Sequence, residues 1–364
     1  MHALPLDESE RLRYARHLAL PEVGAEGQAR LKGAAVLVVG AGGLGSPAAL
    51  YLAAAGIGTL GIADFDRVEL SNLQRQVLFD TAALGESKAH SAAARLSALN
   101  PDIGLRVHDE RLGAANLSRI IAGYDVVLDG TDRLAVRYLI NDACVLARKP
   151  LVSAAIHRFE GQAMTYVPDV APCYRCLYPA SADELVPNCA TAGVLGVLPG
   201  VMGSLQATEA IKLVLGIGEP LARRLLVYDA LSLRFQEFRF ARRRDCAVCG
   251  DAPTITELKE SAVPAIEEWS AAQLAARRAE APHGLVLVDV REPAEVAMGK
   301  LPEAVHIPLG ELPARFGEIP AGDELVFICA GGVRSMAACR FAAGQGRNAI
   351  NLSGGMHAWH AAQG

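Results

Sequence analysis

Gly40-Ala41-Gly42-Gly43-Leu44-Gly45 follows the continuous apolar run AAVLVVG (34–40) and precedes a helical segment from about Ser46 to Ala55. An apolar run that stops at glycines reads as a buried strand. G-x-G-x-x-G between a strand and a helix lets the backbone approach a phosphate and aims the helix N-terminus at it. TLGIADFD (59–66) reads as a second strand, SKAHSAAARLSALN (87–100) as a helix stopped by Pro101, and IGLRVHD (103–109) and YDVVLDGTD (124–132) as further strands. Strands alternating with helices predict an α/β fold with a Rossmann-like, doubly wound, mostly parallel sheet. Aromatic residues are only 5% of the chain, so the apolar mass is Ala, Val and Leu, which suits helices packed closely on such a sheet. Residues 9–31 read as helical, with Leu12, Ala15, Leu18 and Leu20 set among charges, and RRLLVYDA and LRFQEFRF (within 223–240) read as late, antiparallel strands.

At 364 residues the chain has room for about two domains. The composition changes near residue 250, where DAPTITELKESAVPA carries two prolines and no long apolar period. We expect a first domain over 1–250, a linker over 251–261 and a smaller α/β domain over 262–364. The second pattern is built from LVLVDV (285–290), ELVFIC (324–329), a helix after Ser335 and NAINLSGG (348–355). The formal net charge of −5 argues against a nucleic-acid partner, which needs a basic surface. The N-terminus is too polar for a signal peptide. The uncharged stretch 190–208 holds four glycines and a proline and reads as a loop entering a buried helix, so no membrane span is expected. These features place the chain in the cytoplasm, where eight cysteines point to metal binding or catalysis before disulfides.

With the glycine motif and Asp64 alone, a nicotinamide-dependent dehydrogenase is the ordinary reading. The residues that follow shift it. Ser71-Asn72-Leu73-Gln74-Arg75-Gln76 places a cation just past Asp64-Phe65-Asp66, Lys88 opens the next helix, and Asp129-Gly130-Thr131-Asp132 closes another strand. Singly, Arg75 and Lys88 are surface charges and Asp132 a helix cap. Together, two cations and an acid suit a nucleoside triphosphate with Mg²⁺, because phosphate chemistry asks the protein for position and charge neutralisation.

GAGGLGS, DFD, SNLQRQ, Lys88 and LDGTD closely resemble the MoeB/ThiF family over about residues 8–250, a family similar to the adenylation domain of ubiquitin-activating enzymes. The resemblance implies that Gly43, Asp64, Asn72, Arg75 and Lys88 contact ATP and that Asp132 binds Mg²⁺. The nucleotide-binding candidates are therefore Gly40, Gly42, Gly43, Asp64, Asp66, Ser71, Asn72, Arg75, Lys88, Asp132 and Arg133, the last standing where the family has Asn. Arg16, in RYARH, matches an arginine that the family sends into the neighbouring subunit's site, which implies a homodimer; read alone it is a solvated helix face. The implied substrate is a small ubiquitin-like sulfur carrier ending in Gly-Gly, serving molybdopterin, thiamine or tRNA-thiolation pathways.

Cys173-Tyr174-Arg175-Cys176 and Cys246-Ala247-Val248-Cys249 form two C-x-x-C pairs. Four thiolates suit a tetrahedral, structural Zn²⁺ with no open position; two redox pairs or buried thiols are the alternatives. Cys189, in VPNCATAG, matches a cysteine that links to the activated carrier in related enzymes, or is an unused thiol on a loop. Cys144 and Cys339 sit among apolar helical neighbours and read as core. Cys329-Ala330-Gly331-Gly332-Val333-Arg334-Ser335 follows a strand and opens a helix. Small residues let backbone N–H groups face the sulfur, and Arg334 adds charge that favours a thiolate. With DVRE (289–292), AVHIPLGEL (304–312) and NLSGGMHAW (351–359) it resembles a rhodanese domain, which implies a persulfide on Cys329. Ala330 stands where such loops often have Arg, which disfavours anionic donors such as thiosulfate; a cysteine desulfurase is the other donor expected. Adenylation without sulfur transfer, or a carrier-binding scaffold, are the competing functions.

Overall fold

The computed structural model describes residues 5–179, 193–259, 266–280, 283–322 and 324–362. These fall into two compact units, one before residue 260 and one after it.

The first unit is built on eight strands: β1 (Ala35–Val39), β2 (Thr59–Ala63), β3 (Gly104–His108), β4 (Val126–Asp129), β5 (Leu151–His157), β6 (Glu160–Tyr166), β7 (Arg224–Asp229) and β8 (Arg234–Arg239). Their spatial order is β3-β2-β1-β4-β5-β6-β7-β8. The five from β3 to β5 run parallel, and β5 to β8 are antiparallel neighbours. The expected α/β sheet is therefore present, with an antiparallel extension that includes the two late strands. The period-2 rule assigns alternate residues to opposite faces. Val36 and Val38 enter one core, with Leu52, Ile62 and Leu96, while Leu37 and Val39 enter the other, with Ile121, Tyr124 and Ile140.

The helices of this unit are α1 (Glu8–Arg13), α2 (Ala15–Leu18), α3 (Gly24–Gly33), α4 (Gly45–Ala55), α5 (Lys88–Leu99), α6 (Ala114–Ala122), α7 (Leu134–Leu146), α8 (Tyr174–Leu177) and α9 (Leu198–Leu215). Residues 9–31 are helical as expected, in three pieces. Pro21 lacks the N–H that would continue α2, and Gly24 turns the chain at φ +54° before α3. The loop-to-helix reading of 190–208 corresponds to α9, which buries Leu198, Met202, Gln206 and Ala210. Among the described residues no helix is long and apolar enough to cross a membrane.

The second unit holds β9 (Glu267–Trp269), β10 (Leu285–Asp289), β11 (Val305–His306), β12 (Glu324–Ile328) and β13 (Ile350–Leu352), all parallel in the order β11-β10-β12-β13-β9. Helices α10 (Ala271–Glu280), α11 (Pro293–Val296), α12 (Leu312–Arg315), α13 (Val333–Gly344) and α14 (Gly355–Ala361) surround it. Strand β12 again alternates, sending Leu325 and Phe327 to one core and Val326 and Ile328 to the other. Cys339 lies fully buried on α13, and Cys144 fully buried on α7, as their apolar neighbours suggested. Burial pushes the Cys339 thiol up to about 12 and raises Cys144 further, so neither is a thiolate at neutral pH.

Candidate active sites

The strand order reverses direction at β1, leaving a crevice between the carboxyl ends of β1 and β4, the position where open α/β sheets bind ligands. Gly40 leaves β1 at φ +86°, and a Cβ there would stand 3.0 Å from the Gly130 carbonyl oxygen at the end of β4. A Cβ on Gly45 would stand 1.8 Å from the Gly40 oxygen, so α4 can begin this close to β1 only with glycine. The N–H of Ala41 donates to Asp64 Oδ2 at 2.8 Å and that of Asp66 to Asp64 Oδ1 at 2.9 Å. Asp64 thereby ties the glycine loop to the end of β2. Burial raises its carboxyl pKa, while Lys88 and the two N–H groups pull it down.

Lys88 is the first residue of α5; its side chain is only 7% exposed, and Nζ lies 3.3 Å from Asp66 Oδ2. A lysine this buried must keep an anionic partner, and Asp66, being more than half exposed, is one that an incoming phosphate can replace. Arg75 donates from Nη1 to the Ser71 carbonyl oxygen at 3.1 Å, and its Cγ lies beside Gly43. Asn72 is buried and accepts the Glu69 N–H through Oδ1, which fixes the Ser71–Asn72 turn. Two residues outside the sequence-based set join them. Gln76 is buried beside Gly42, and its Oε1 has no hydrogen-bond donor among the described residues. Asp129, fully buried at the end of β4, accepts from the Thr131 N–H and hydroxyl, from Ser153 Oγ at 2.9 Å, and pairs with Arg137 at 3.3 Å. This cluster anchors the 130–133 loop, on which Asp132 and Arg133 are exposed. Arg16 is exposed on α2, with no hydrogen bond or ion pair to the glycine loop. Cys189 lies outside the described residues.

The two C-x-x-C pairs converge. Cys173 caps α8 and Cys176 lies within it, while the second pair forms a tight turn in which a Cβ on Gly250 would meet the Cys246 oxygen at 2.4 Å. The four Sγ atoms lie within 4.8 Å of one another, four of the separations being 3.3, 3.3, 3.6 and 4.0 Å. Four sulfurs at about 2.3 Å from one ion stand about 3.8 Å apart in a tetrahedron. The cluster therefore has the dimensions and donor set of a closed thiolate metal site.

In the second unit Cys329 follows β12 and is buried. Its Sγ accepts the Gly332 N–H at 3.0 Å and lies 3.2 Å from Ser335 Oγ. Gly332 sits at φ +91°, the left-handed turn that bends the loop over the sulfur. The Ser335 hydroxyl is 2.7 Å from Asn351 Oδ1, and Asn351 Nδ2 donates to Glu268 at 2.9 Å. The Gly354–Gly355 pair backs the loop: the Met356 and His357 N–H groups, opening α14, donate to the Cys329 and Ala330 carbonyls at 2.8 and 3.0 Å. Arg334, the cation expected to favour a thiolate, donates from both its Nη groups to Glu295, at 2.7 and 2.6 Å.

Comparison with known proteins adds independent findings. Residues 14–248 match the ThiF family and residues 270–362 the rhodanese-like domain. The chain is 47% identical over 329 residues to the adenylyltransferase and sulfurtransferase MOCS3 of Mus musculus, covering 85% of this chain and 71% of that protein. It is 44% identical over 376 residues to the probable adenylyltransferase/sulfurtransferase MoeZ of Mycobacterium tuberculosis, covering 98% and 94%. Among solved structures it is similar to E. coli MccB with ATP, at a TM-score of 0.59 and 25% identity over 67% of this chain and 75% of that one.

Proposed function

The chain belongs to the ThiF family, and on that premise we propose that it adenylates the C-terminal glycine of a small ubiquitin-like sulfur carrier and converts it to a thiocarboxylate with sulfur held on Cys329. It is an ATP-using adenylyltransferase and a sulfurtransferase, the pair of activities named for its mouse and mycobacterial relatives. The observation that carries the reading is the presence in one chain of a glycine loop tied to Asp64, with Arg75 beside Gly43 and Lys88 on neighbouring Asp66, and of a cysteine loop with a backbone N–H on its sulfur.

The carrier's carboxylate is ionised at neutral pH, its pKa being about 3.5, so no general base is needed. Its oxygen attacks the α-phosphorus of ATP, the α–β phosphoanhydride bond breaks, and pyrophosphate leaves. The barrier is the approach of one anion to another. Lys88 and Arg75, with Arg16 from a second copy of the chain, offset that repulsion and hold the leaving group. Gly40, Gly42 and Gly43 let the backbone reach the phosphates, while Asp64, Ser71, Asn72 and Arg133 orient the nucleoside. Asp132 offers a hard, exposed carboxylate of the kind Mg²⁺ takes together with phosphate oxygens, and Mg²⁺ would there supply further charge neutralisation. A persulfide sulfur of Cys329 then attacks the acyl carbon and AMP leaves, giving an acyl disulfide. A free thiol attacks the Cys329 sulfur of that S–S bond, forming a mixed disulfide with Cys329 and releasing the thiocarboxylate, and a second thiol reduces the mixed disulfide. Cys189 is the proposed point of covalent attachment for the activated carrier: there its thiolate displaces AMP to give a thioester, and the persulfide displaces the Cys189 thiolate to give the same acyl disulfide. Thiolate and persulfide chemistry fits a reducing compartment, the cytoplasm.

The test is ATP–pyrophosphate exchange with purified carriers ending in Gly-Gly. Exchange that depends on the carrier is expected; its absence with every carrier bound would leave a scaffold. We also propose that Cys173, Cys176, Cys246 and Cys249 hold one structural Zn²⁺. Elemental analysis should find about one zinc per chain, and Cys246→Ala should lower both zinc content and melting temperature. Folded, metal-free protein of unchanged melting temperature would contradict this.

A further inference from the structure

The Cys329 loop carries one cation, Arg334, and one carboxylate from another element takes up that charge. Glu295, on α11, receives both Arg334 Nη groups at 2.6 and 2.7 Å, with the two side chains 29% and 19% exposed. Arg334 holds the Glu295 carboxyl down to about 2, so the pair stays ionised across the physiological range. Arg334 is the second residue of α13, whose N-cap Gly332 donates its N–H to the Cys329 sulfur, so the guanidinium and an anion held at that sulfur share one end of the helix. The neighbouring Arg291 is likewise consumed, by buried Asp289 at 2.7 Å. Near this neutral pair in sequence, Val333, next to Arg334, is 56% exposed, and Met298, three residues beyond Glu295, is 84% exposed.

We propose that Glu295 is a specificity-determining residue for the sulfur donor. By neutralising Arg334 it removes the cation that a small dianionic donor needs, and leaves a mouth suited to the persulfide of a docked protein. The inference rests on the sulfurtransferase reading of Cys329. With either donor the chemistry is the same displacement. The Cys329 thiolate attacks the donor's outer sulfur and the donor's S–S or S–SO₃ bond breaks. The electron pair then leaves on the donor thiolate or on sulfite. Only the second route brings a dianion to the loop and builds charge on a departing sulfite, so only that route gains from a freed guanidinium.

The experiment uses the full chain as wild type, Glu295→Gln, Glu295→Ala and Glu295→Gln/Arg334→Gln. Two probes are applied to each: thiosulfate with cyanide as acceptor, and a cysteine desulfurase charged with cysteine. Freeing Arg334 should lower KM for thiosulfate about tenfold, the size of one charge-assisted contact, with kcat changed less. Rising salt should erase this gain, and the double variant should lack it. Loading from the desulfurase should stay within about twofold. An unchanged KM in both single variants, or a gain that survives in the double variant, overturns the proposal. Unfolding of both single variants also overturns it, since the pair would then be structural. If wild-type Cys329 takes sulfur from neither donor, it is the sulfurtransferase reading that fails, and the inference with it.

Discussion

Lys88→Ala and Asp132→Ala are each expected to lower carrier-dependent ATP–pyrophosphate exchange by about a hundredfold or more, the usual loss when one preorganised charge at a reacting group is removed. The two residues stand in different surroundings, which makes the pair informative. Asp132 is exposed on the loop after β4, so its removal takes away no packing. Lys88 is almost wholly buried, but its partner Asp66 is more than half exposed. Truncating Lys88 removes packing and the charge that offsets Asp64. Asp132→Ala should therefore melt close to wild type, while Lys88→Ala should stay folded with a melting temperature lowered by a few degrees, on the order of a 1–3 kcal/mol loss. Their contacts strengthen as charge builds on the departing pyrophosphate, so kcat should fall more than ATP affinity. Near-normal exchange in both would mean that nucleotide activation happens away from the β1–β4 crevice.

The parts of this protein that were legible in its sequence are those fixed by local geometry. Gly45 must be glycine because a Cβ there would meet the Gly40 carbonyl oxygen five residues back, and Gly40 because it leaves β1 at φ +86°; such local constraints are written into a short motif. The strands around them could be read for the same reason, from apolar runs. The two C-x-x-C pairs were each visible, but only the fold shows that sulfurs 73 and 76 residues apart stand 3.3 to 3.6 Å from one another. The helical character of residues 9–31 is legible from Leu12, Ala15 and Leu18, whereas the breaks that divide the segment into three helices rest on backbone geometry around Tyr14 and Gly24. The polar cluster beneath the 130–133 loop was invisible: Asp129 meets Ser153 across 24 residues, and Gln206 donates to the Asp129 carbonyl across 77. Arg334 shows the same limit. Its place in the Cys329 loop is written in the motif, but its pairing with a glutamate 39 residues earlier is not.

Cys329→Ser should separate the two activities. The proposed adenylation residues all precede residue 134, and a carboxylate attacking ATP has no use for a thiol. Exchange of pyrophosphate should stay near wild type. Sulfur transfer should be lost, by about a thousandfold or to background, since a serine oxygen cannot carry sulfane sulfur. The Gly332 N–H and Ser335 hydroxyl that meet the sulfur can bond a serine oxygen equally, so the loop should keep its shape. Cys339→Ser, by contrast, places a hydroxyl in the core beside Phe327 and should cost about 1–3 kcal/mol of stability without altering either assay. The most direct measurement is the mass of the carrier after incubation with ATP and a sulfur source, using wild type and Cys329→Ser prepared in parallel. The account predicts that wild type yields carrier in which one C-terminal oxygen has become sulfur, and that Cys329→Ser yields only unmodified or adenylated carrier. Thiocarboxylate formed by Cys329→Ser at the wild-type rate from every donor would contradict it and leave an adenylyltransferase whose second domain plays no chemical part.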